Sequence, residues 1–198
     1  MRVAILISLV ACLVVPVWAD DSFVPVTLGG NTGYVVPESY AAAHKADFIA
    51  SQPGYGKIDG FWTPTEPNAT VADRTLHELL VRAAREPALL FPDLANSNNP
   101  PPPDSPDSFE HQRRELELIT RNENAYARQF VGLILDGRRI VFCNYAVVPR
   151  SDPAANYLFI QKSFVDDGIV HFLQARFDPE AKTCSGVALI GSWQPKLK

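Results

Sequence analysis

The pattern of apolar and polar positions is clearest in the C-terminal half of the chain, from Tyr126 onward. Five apolar runs follow one another there, at residues 127–135, 138–147, 157–165, 169–177 and 184–193. The first two runs flank Asp136-Gly137, a dipeptide suited to a tight turn that needs positive φ. Five short runs joined mostly by turns predict an antiparallel meander.

Helical periodicity lies before this predicted sheet. Tyr40, His44 and Phe48 recur every four residues and indicate a short helix over residues 39–50. Thr70 to Asp73 has the form of a capping box and precedes an apolar stripe, which predicts a helix over residues 70–86. Pro87 would end that helix.

A further helix is predicted over residues 107–122, where Asp107 followed by Glu110 marks a helix start. Helices before a meander can cover one of its faces. The fold class is therefore predicted as α+β, with two or three helices packed on a curved antiparallel sheet of about five strands. In element order alone this is similar to cystatin-like or NTF2-like folds.

The chain also divides by composition. Residues 20–60 are rich in Gly, Pro and small side chains and are expected to be irregular apart from one short helix. Residues 61–198 are expected to form a single α+β domain. Within it, the Pro-rich stretch 95–108 (ANSNNPPPPDSPDS) has almost nothing to bury and is interpreted as a mobile surface loop.

The first nineteen residues have the pattern of a secretory signal peptide. Arg2 precedes the apolar run VAILISLVACLVV, and Val17-Trp18-Ala19 offers small residues before Asp20. A lipoprotein alternative remains, because LVAC at residues 9–12 resembles a lipobox that would anchor the protein through Cys12. Both alternatives predict export, to the periplasm or the medium.

Charge and composition exclude some functions. The formal net charge is −4, which gives no electrostatic footprint for nucleic acid. No apolar run after residue 19 is long enough to span a bilayer. The glycines lack the strand-to-helix context of a nucleotide-binding loop, so no cofactor is predicted. We expect the partner to be an envelope protein or a glycan.

Two cysteines, Cys143 and Cys184, remain after the signal segment. In an oxidising compartment an even number of cysteines favours a disulfide. The alternative is a nucleophilic thiol paired with His171. A Cys143–Cys184 disulfide is therefore predicted.

Catalytic motifs are missing after the signal segment: there is no GxSxG elbow, no HExxH helix and no SxxK motif. A site assembled from distant residues would leave no such motif. The weak candidates for a hidden catalyst are His171, Arg176 and Asn144.

Two further sets of residues are weak candidates for binding. Asp73 with His77, and His111 with Glu115, are each four apart on a predicted helix, so two facing pairs would supply four zinc ligands. Capping or surface roles are the alternative, and no metal is predicted. The aromatic side chains that would form a stacking platform for a glycan are Trp62, Tyr145, Tyr157 and Trp193. Packing in the core is the alternative role for these rings.

A resemblance to a known family rests on several short motifs. They are FWTPT (61–65), YARQFVG (126–132), Cys143-Asn144, Asp167-Gly168 and FDP (177–179). Together they resemble a family of uncharacterised bacterial envelope proteins with Trp-Thr-Pro, Tyr-x-Arg-Gln-Tyr-x-Gly, Asp-Gly-Gly and Tyr-Asp-Pro motifs. The chain has Ile169 in place of the second glycine. The resemblance implies an envelope location and no particular activity.

Two functions therefore remain from the sequence. The first is a non-catalytic binding or accessory module of the envelope. The second is a small hydrolase-type enzyme with its cleft between the helices and the sheet. A cluster of ionisable side chains in one pocket would favour the enzyme.

Overall fold

The computed structural model describes residues 23–51, 57–92, 102, 105, 108–147 and 172–190. The strands are β1 (Val24–Leu28), β2 (Asn31–Val36), β3 (Ile58–Trp62), β4 (Tyr126–Leu135), β5 (Arg138–Val147), β6 (Phe172–Asp178) and β7 (Thr183–Ile190). The α-helices are α1 (Glu38–Ala43), α2 (Lys45–Ser51), α3 (Glu66–Arg85) and α4 (Phe109–Arg121). Short 3₁₀ helices cover Pro87–Leu89 and Glu123–Ala125.

All seven strands belong to one open sheet with the order β1-β2-β4-β5-β6-β7, and β3 pairs with β4 outside this path. Only the β2–β4 pairing is parallel; the other pairings in the described sheet are antiparallel. One edge of β4 pairs with two different strands: β2 pairs with residues 128–131 and β3 with residues 132–135. The α+β fold class, with helices packed on a mostly antiparallel sheet, is confirmed.

The hairpin between β4 and β5 forms as predicted. Leu135 pairs with Arg138, and the turn between them has positive φ at Asp136 (49°) and Gly137 (73°). These values suit a tight turn whose twist matches that of the two strands. The turn is also tied to β3, because the Gly137 amide donates to Asp59 Oδ2 at 3.1 Å.

Each face of the sheet carries its own apolar cluster because successive side chains along a strand point to opposite faces. On the first face, Phe130, Val141 and Phe177 belong to the same buried cluster as Leu76 of α3 and Leu116 of α4. On the second face, Phe48 of α2 packs edge-to-face against Phe61 and Phe142, at centroid distances of 6.0 and 5.4 Å. The first face is called the α3 face below.

Helix α3 begins earlier than its sequence pattern predicts. Its N-cap is Thr65, which forms a capping box with Asn68, and Pro67 lies in the first turn. The prediction that Thr70 caps this helix is therefore wrong. A proline is favoured in the first turn of a helix, where its missing amide hydrogen has no acceptor to lose. Helix α4 begins at Phe109, two residues after its predicted start, and its N-cap Ser108 accepts from the His111 amide at 3.1 Å.

The N-terminal region is more regular than predicted. Residues 24–28 and 31–36 form the β1–β2 hairpin around Gly29 and Gly30, which both have positive φ. Because β2 pairs with β4, this region belongs to the same sheet as the later strands. The predicted helix over residues 39–50 is two helices, interrupted at His44 (φ −105°, ψ 21°).

The predicted Cys143–Cys184 disulfide is wrong, since both cysteines are free thiols. Cys143 pairs with Ala175 across one side of β6, and Cys184 pairs with Phe177 across the other side. Because Phe177 is two residues beyond Ala175, the two cysteines are at least two strand spacings apart, which is more than about 9.6 Å. A disulfide needs Cα atoms within about 7 Å of each other.

Two predictions concern residues that the structure does not describe or describes only in part. The predicted strand at 157–165 lies outside the described residues, as does most of the Pro-rich stretch 95–108.

None of the described helices is both long and apolar enough to cross a membrane.

Candidate ligand-binding cleft

A cavity of about 300 Å³ lies on the α3 face, between α3, the end of α4 and strands β4 to β6. Its apolar lining includes Leu28, Leu80, Ile119 and Leu173. The rest of the lining is largely polar and ionisable. Its side chains are Asp73, Arg74, His77, Glu123, Arg128 and Tyr145.

Local structure explains why these polar groups converge. Asp73 and His77 are four residues apart on α3, so both side chains lie on the same face of that helix. Arg128 and Tyr145 are directly opposite each other in the β4–β5 ladder. Glu123 begins the 3₁₀ helix that leads from α4 into β4, which brings its carboxylate to the mouth of the cleft.

Asp73 is the centre of the polar cluster. Its Oδ1 accepts a hydrogen bond of 2.6 Å from the Tyr145 hydroxyl and lies 3.4 Å from Arg128 Nε. Oδ2 has no hydrogen-bond partner among the described residues. Asp73 therefore keeps one carboxylate oxygen available to a bound molecule.

Burial is the largest influence on the Asp73 carboxyl and raises its pKa above the ordinary value. The Tyr145 hydrogen bond and the positive charge of Arg128 act in the opposite direction, and the nearby Glu123 adds to the rise. Desolvation prevails over these stabilising contacts. Asp73 consequently gains a proton more easily than an exposed aspartate does.

Arg128 is buried beside Asp73, with only 3 % of its side chain exposed. It makes one hydrogen bond, from Nη2 to the Glu123 carbonyl oxygen at 3.4 Å, and its Nη2 lies 4.0 Å from Glu123 Oε2. Its buried Nε has no hydrogen-bond acceptor. A guanidinium has five N–H donors, so most of the hydrogen-bonding capacity of Arg128 is unused within the described residues.

Tyr145 supplies both a wall and a donor. Its ring lies 5.5 Å from the Arg128 guanidinium carbon and 6.1 Å from the Phe130 ring centroid. Burial, aided by the negative charge of Asp73, raises the pKa of the Tyr145 phenol well above its usual range. Tyr145 stays protonated as a result and remains a donor to Asp73.

The rim of the cleft is closed on one side by a pair of polar side chains. His77 Nδ1 and Glu123 Oε1 are in direct hydrogen-bond contact, with 48 % and 26 % of their side chains exposed. Because both are solvated, this pair contributes little to stability. A ligand would therefore enter the cleft beside this pair and not through it.

Neither of the two catalytic candidates that the structure describes lies in this cleft. Asn144 and Arg176 are on the opposite face of the sheet, since their neighbours Tyr145, Ala175 and Phe177 belong to the α3 face. Asn144 is buried and accepts a 3.1 Å hydrogen bond from Gln174 Nε2. His171 lies outside the described residues.

The metal-ligand candidates are not brought together as a set. Asp73 bonds Tyr145, His77 pairs with Glu123, and His111 Nε2 lies 3.7 Å from Glu115 Oε1 on α4. Within the described ranges, no three acidic, histidine or cysteine side chains are arranged to hold a metal ion.

Of the aromatic candidates for a stacking platform, Trp62 and Tyr145 are described, and of these two Tyr145 alone lines the cleft. Trp62 is buried in the sheet, where its Nε1 donates to the carbonyl oxygens of Leu133 and Ile140 at 3.2 and 3.3 Å. Tyr157 and Trp193 lie outside the described residues.

Three of the polar cleft residues were candidates from the sequence: Asp73 and His77 as metal ligands, and Tyr145 as a stacking ring. Glu123 and Arg128 were not predicted as site residues. The sequence does contain a signal for Arg128. Tyr126, Arg128 and Phe130 occupy every second position of β4 and therefore lie on one face of the strand, and all three are buried. A charge on the buried face of a strand is rare unless it is paired.

Comparison with known proteins identifies no relative, since no family model, curated protein or solved structure matches the chain.

Proposed function

We propose that this protein binds a small organic ligand in the cleft of the α3 face. The ligand presents a hydrogen-bond acceptor to Arg128 and an apolar body to the wall formed by Leu28, Ile119 and Leu173. The observation that carries the proposal is the burial of Arg128, 3 % exposed, with a single hydrogen bond among the described residues.

Unused donors on a buried cation cost free energy unless an acceptor or an ordered water satisfies them. Arg128 also lines the cavity. At about 300 Å³, the cavity lies at the lower end of the range for small-molecule sites. An apolar wall facing a few convergent polar groups is the usual composition of such sites.

A second candidate function is a small hydrolase-type enzyme. The observation that favours it is the cluster of ionisable groups around Asp73, whose pKa is raised by burial and whose Oδ2 has no partner in the described chain. A carboxylate of this kind could activate a water molecule as a general base. Binding is preferred because the described residues offer no nucleophile paired with a base beside Asp73.

Export to the bacterial envelope belongs to the same proposal. It is supported by the signal-peptide pattern of residues 1–19 and by the resemblance of the FWTPT and YARQFVG motifs to envelope proteins. Mass spectrometry of the exported protein should show a chain that begins at Asp20. An acylated N-terminus at Cys12 would support the lipoprotein alternative.

Binding in the cleft can be tested with benzamide, a small neutral probe that has a carbonyl acceptor and an apolar ring. Protein-observed NMR should show shifts that grow with benzamide concentration at Ile119, Leu173 and Tyr145. Thr70 is exposed at the cleft wall, so Thr70→Trp should block entry without disturbing the core.

Glu78→Trp is the matched control, because Glu78 is exposed on the same helix and does not line the cleft. It should leave the benzamide shifts unchanged. Equal shifts in both tryptophan variants, or no shifts in the native protein, would contradict binding in this cleft.

A further inference from the structure

We propose that the ligand of the cleft is a small monocarboxylic acid with an apolar body, whose carboxylate accepts hydrogen bonds from Arg128 and shares a proton with Oδ2 of Asp73. This inference rests on the proposed binding function and narrows its ligand class.

The first support is the shape of the unused donors. A guanidinium presents its N–H groups in a planar fork that matches the two oxygens of a carboxylate. Arg128 is buried at 3 % exposure and makes one hydrogen bond in the described structure. Its ion-pair partner Asp73 approaches Nε at 3.4 Å without forming a hydrogen bond. Arg128 also lines the cavity, so a ligand bound there can reach its unused donors.

The second support is the geometry of Asp73. Oδ1 is engaged by Tyr145 and lies near Arg128, which leaves Oδ2 for the ligand. Two carboxylates that approach the same guanidinium repel each other unless one of them is protonated. Burial already favours the protonated form of Asp73 and raises its pKa. The ligand carboxylate would complete this change by adding a negative charge beside it.

The charges then balance. The ligand enters with one negative charge, one proton is taken up from solvent, and an O–H···O bond forms between Oδ2 and a ligand oxygen. The net charge of the buried cluster is the same before and after binding. No covalent bond forms or breaks.

Other titratable groups surround Asp73 and must be separated from it. His77 and Arg74 belong to α3, Glu123 to the 3₁₀ helix, Arg128 to β4, and Cys143 with Tyr145 to β5. The thiol and the phenol have pKa values raised by burial and stay neutral. His77 and Glu123 contact each other beside Asp73, so a His77 variant tests whether this pair contributes to the pH dependence.

The test compares benzoate with benzamide, which have the same ring and differ in charge. Isothermal titration calorimetry from pH 5.5 to 8 should show benzoate affinity falling about tenfold per pH unit once Asp73 is ionised in the free protein. Benzamide affinity should stay constant over the same range. Titrations in two buffers with different ionisation enthalpies should show uptake of one proton with benzoate.

Two variants identify the titrating group. Asp73→Asn supplies an N–H donor without a proton equilibrium, so it should bind benzoate with little pH dependence and more tightly than the native protein at pH 8. His77→Gln should keep the native pH dependence. If His77→Gln abolishes the pH dependence instead, the proton does not reside on Asp73 and the inference is overturned.

Failure of the inference is distinguishable from failure of the proposed function. Benzamide binding without benzoate binding, or benzoate binding that is independent of pH, overturns the carboxylic-acid assignment and leaves the cleft a binding site for neutral ligands. The absence of binding by either probe overturns both.

Discussion

Gly132 of β4 lies so close to Trp62 of β3 that a Cβ on Gly132 would come within 2.1 Å of the Trp62 carbonyl oxygen and 2.8 Å of its ring. Trp62 is held in place from its other end, because its Nε1 donates to the carbonyl oxygens of Leu133 and Ile140. The ring therefore has little freedom to move away. At this position the absence of a side chain is a packing requirement.

Gly132→Ala should lower the free energy of unfolding by about 2 kcal/mol, as expected for overpacking of a buried site. Chemical denaturation would measure the loss. Gly60→Ala on the adjacent β3 is the control, because its Cβ would meet Ile134 at an ordinary 3.5 Å. Equal stability of the two variants would show that β3 shifts to make room.

Asp73 should make stability fall as pH rises. Its folded-state pKa lies above its ordinary value of 3.8, so the folded protein holds more protons than the unfolded chain between the two values. Stability is greatest below the unfolded pKa, declines as pH rises through this window, and then levels off. Urea denaturation from pH 3.5 to 8 should show this decline relative to Asp73→Asn. A native protein that gains stability over Asp73→Asn as pH rises would show that Asp73 is stabilised as a carboxylate.

Arg128→Leu should destabilise the fold by about 3 kcal/mol, because it leaves the carboxylates of Asp73 and Glu123 without their buried cation. In an Asp73→Asn background the same change should cost at least about 1 kcal/mol less. Arg85→Leu, at the exposed end of α3, is the control and should change stability by less than about 0.5 kcal/mol. Additive effects of the Arg128 and Asp73 changes would indicate that the two side chains do not interact in solution.

Cys143 and Cys184 should both be free thiols in protein that has never been reduced. Burial raises the pKa of Cys184 to about 12 and that of Cys143 well above its usual range, so neither is expected to react quickly in the folded state. Maleimide labelling of a chain that begins at Asp20 should modify two thiols after unfolding and few before. Labelling of no thiol after unfolding would mean that the β5–β6–β7 register differs from the one described.

Local signals in the sequence were sufficient for part of the fold. Asp136-Gly137 determines its own turn, and the register of β4 with β5 follows from it: counting outward from Leu135 and Arg138 places Arg128 opposite Tyr145. The pairing of these two cleft residues was therefore deducible from one dipeptide. The start of α3 was missed because Thr70 and Thr65 both resemble caps. Pro67, which suits the first turn of a helix, was the sequence signal that favours Thr65, and Asn68 completes its capping box.

The position of the α3 residues over the sheet depends on tertiary packing. Asp73 meets Tyr145 because α3 crosses the sheet at a particular position and angle, which no periodicity along α3 determines. The β1–β2 hairpin left a faint signal, since Gly29-Gly30 separates two runs with alternating burial. Its pairing with β4 is parallel and distant in sequence, and neither property is visible in local pattern.

That parallel pairing has a consequence for how fast the chain folds. Gly33 pairs with Arg128 only after the two ends of a long intervening segment meet. The chain loses the conformational entropy of closing that loop before any contact offsets the loss. The β4–β5 hairpin and helix α3, in contrast, form from neighbouring residues. We expect the hairpin to gain protection from hydrogen exchange early in refolding, and β2 to dock late, as the rate-limiting event.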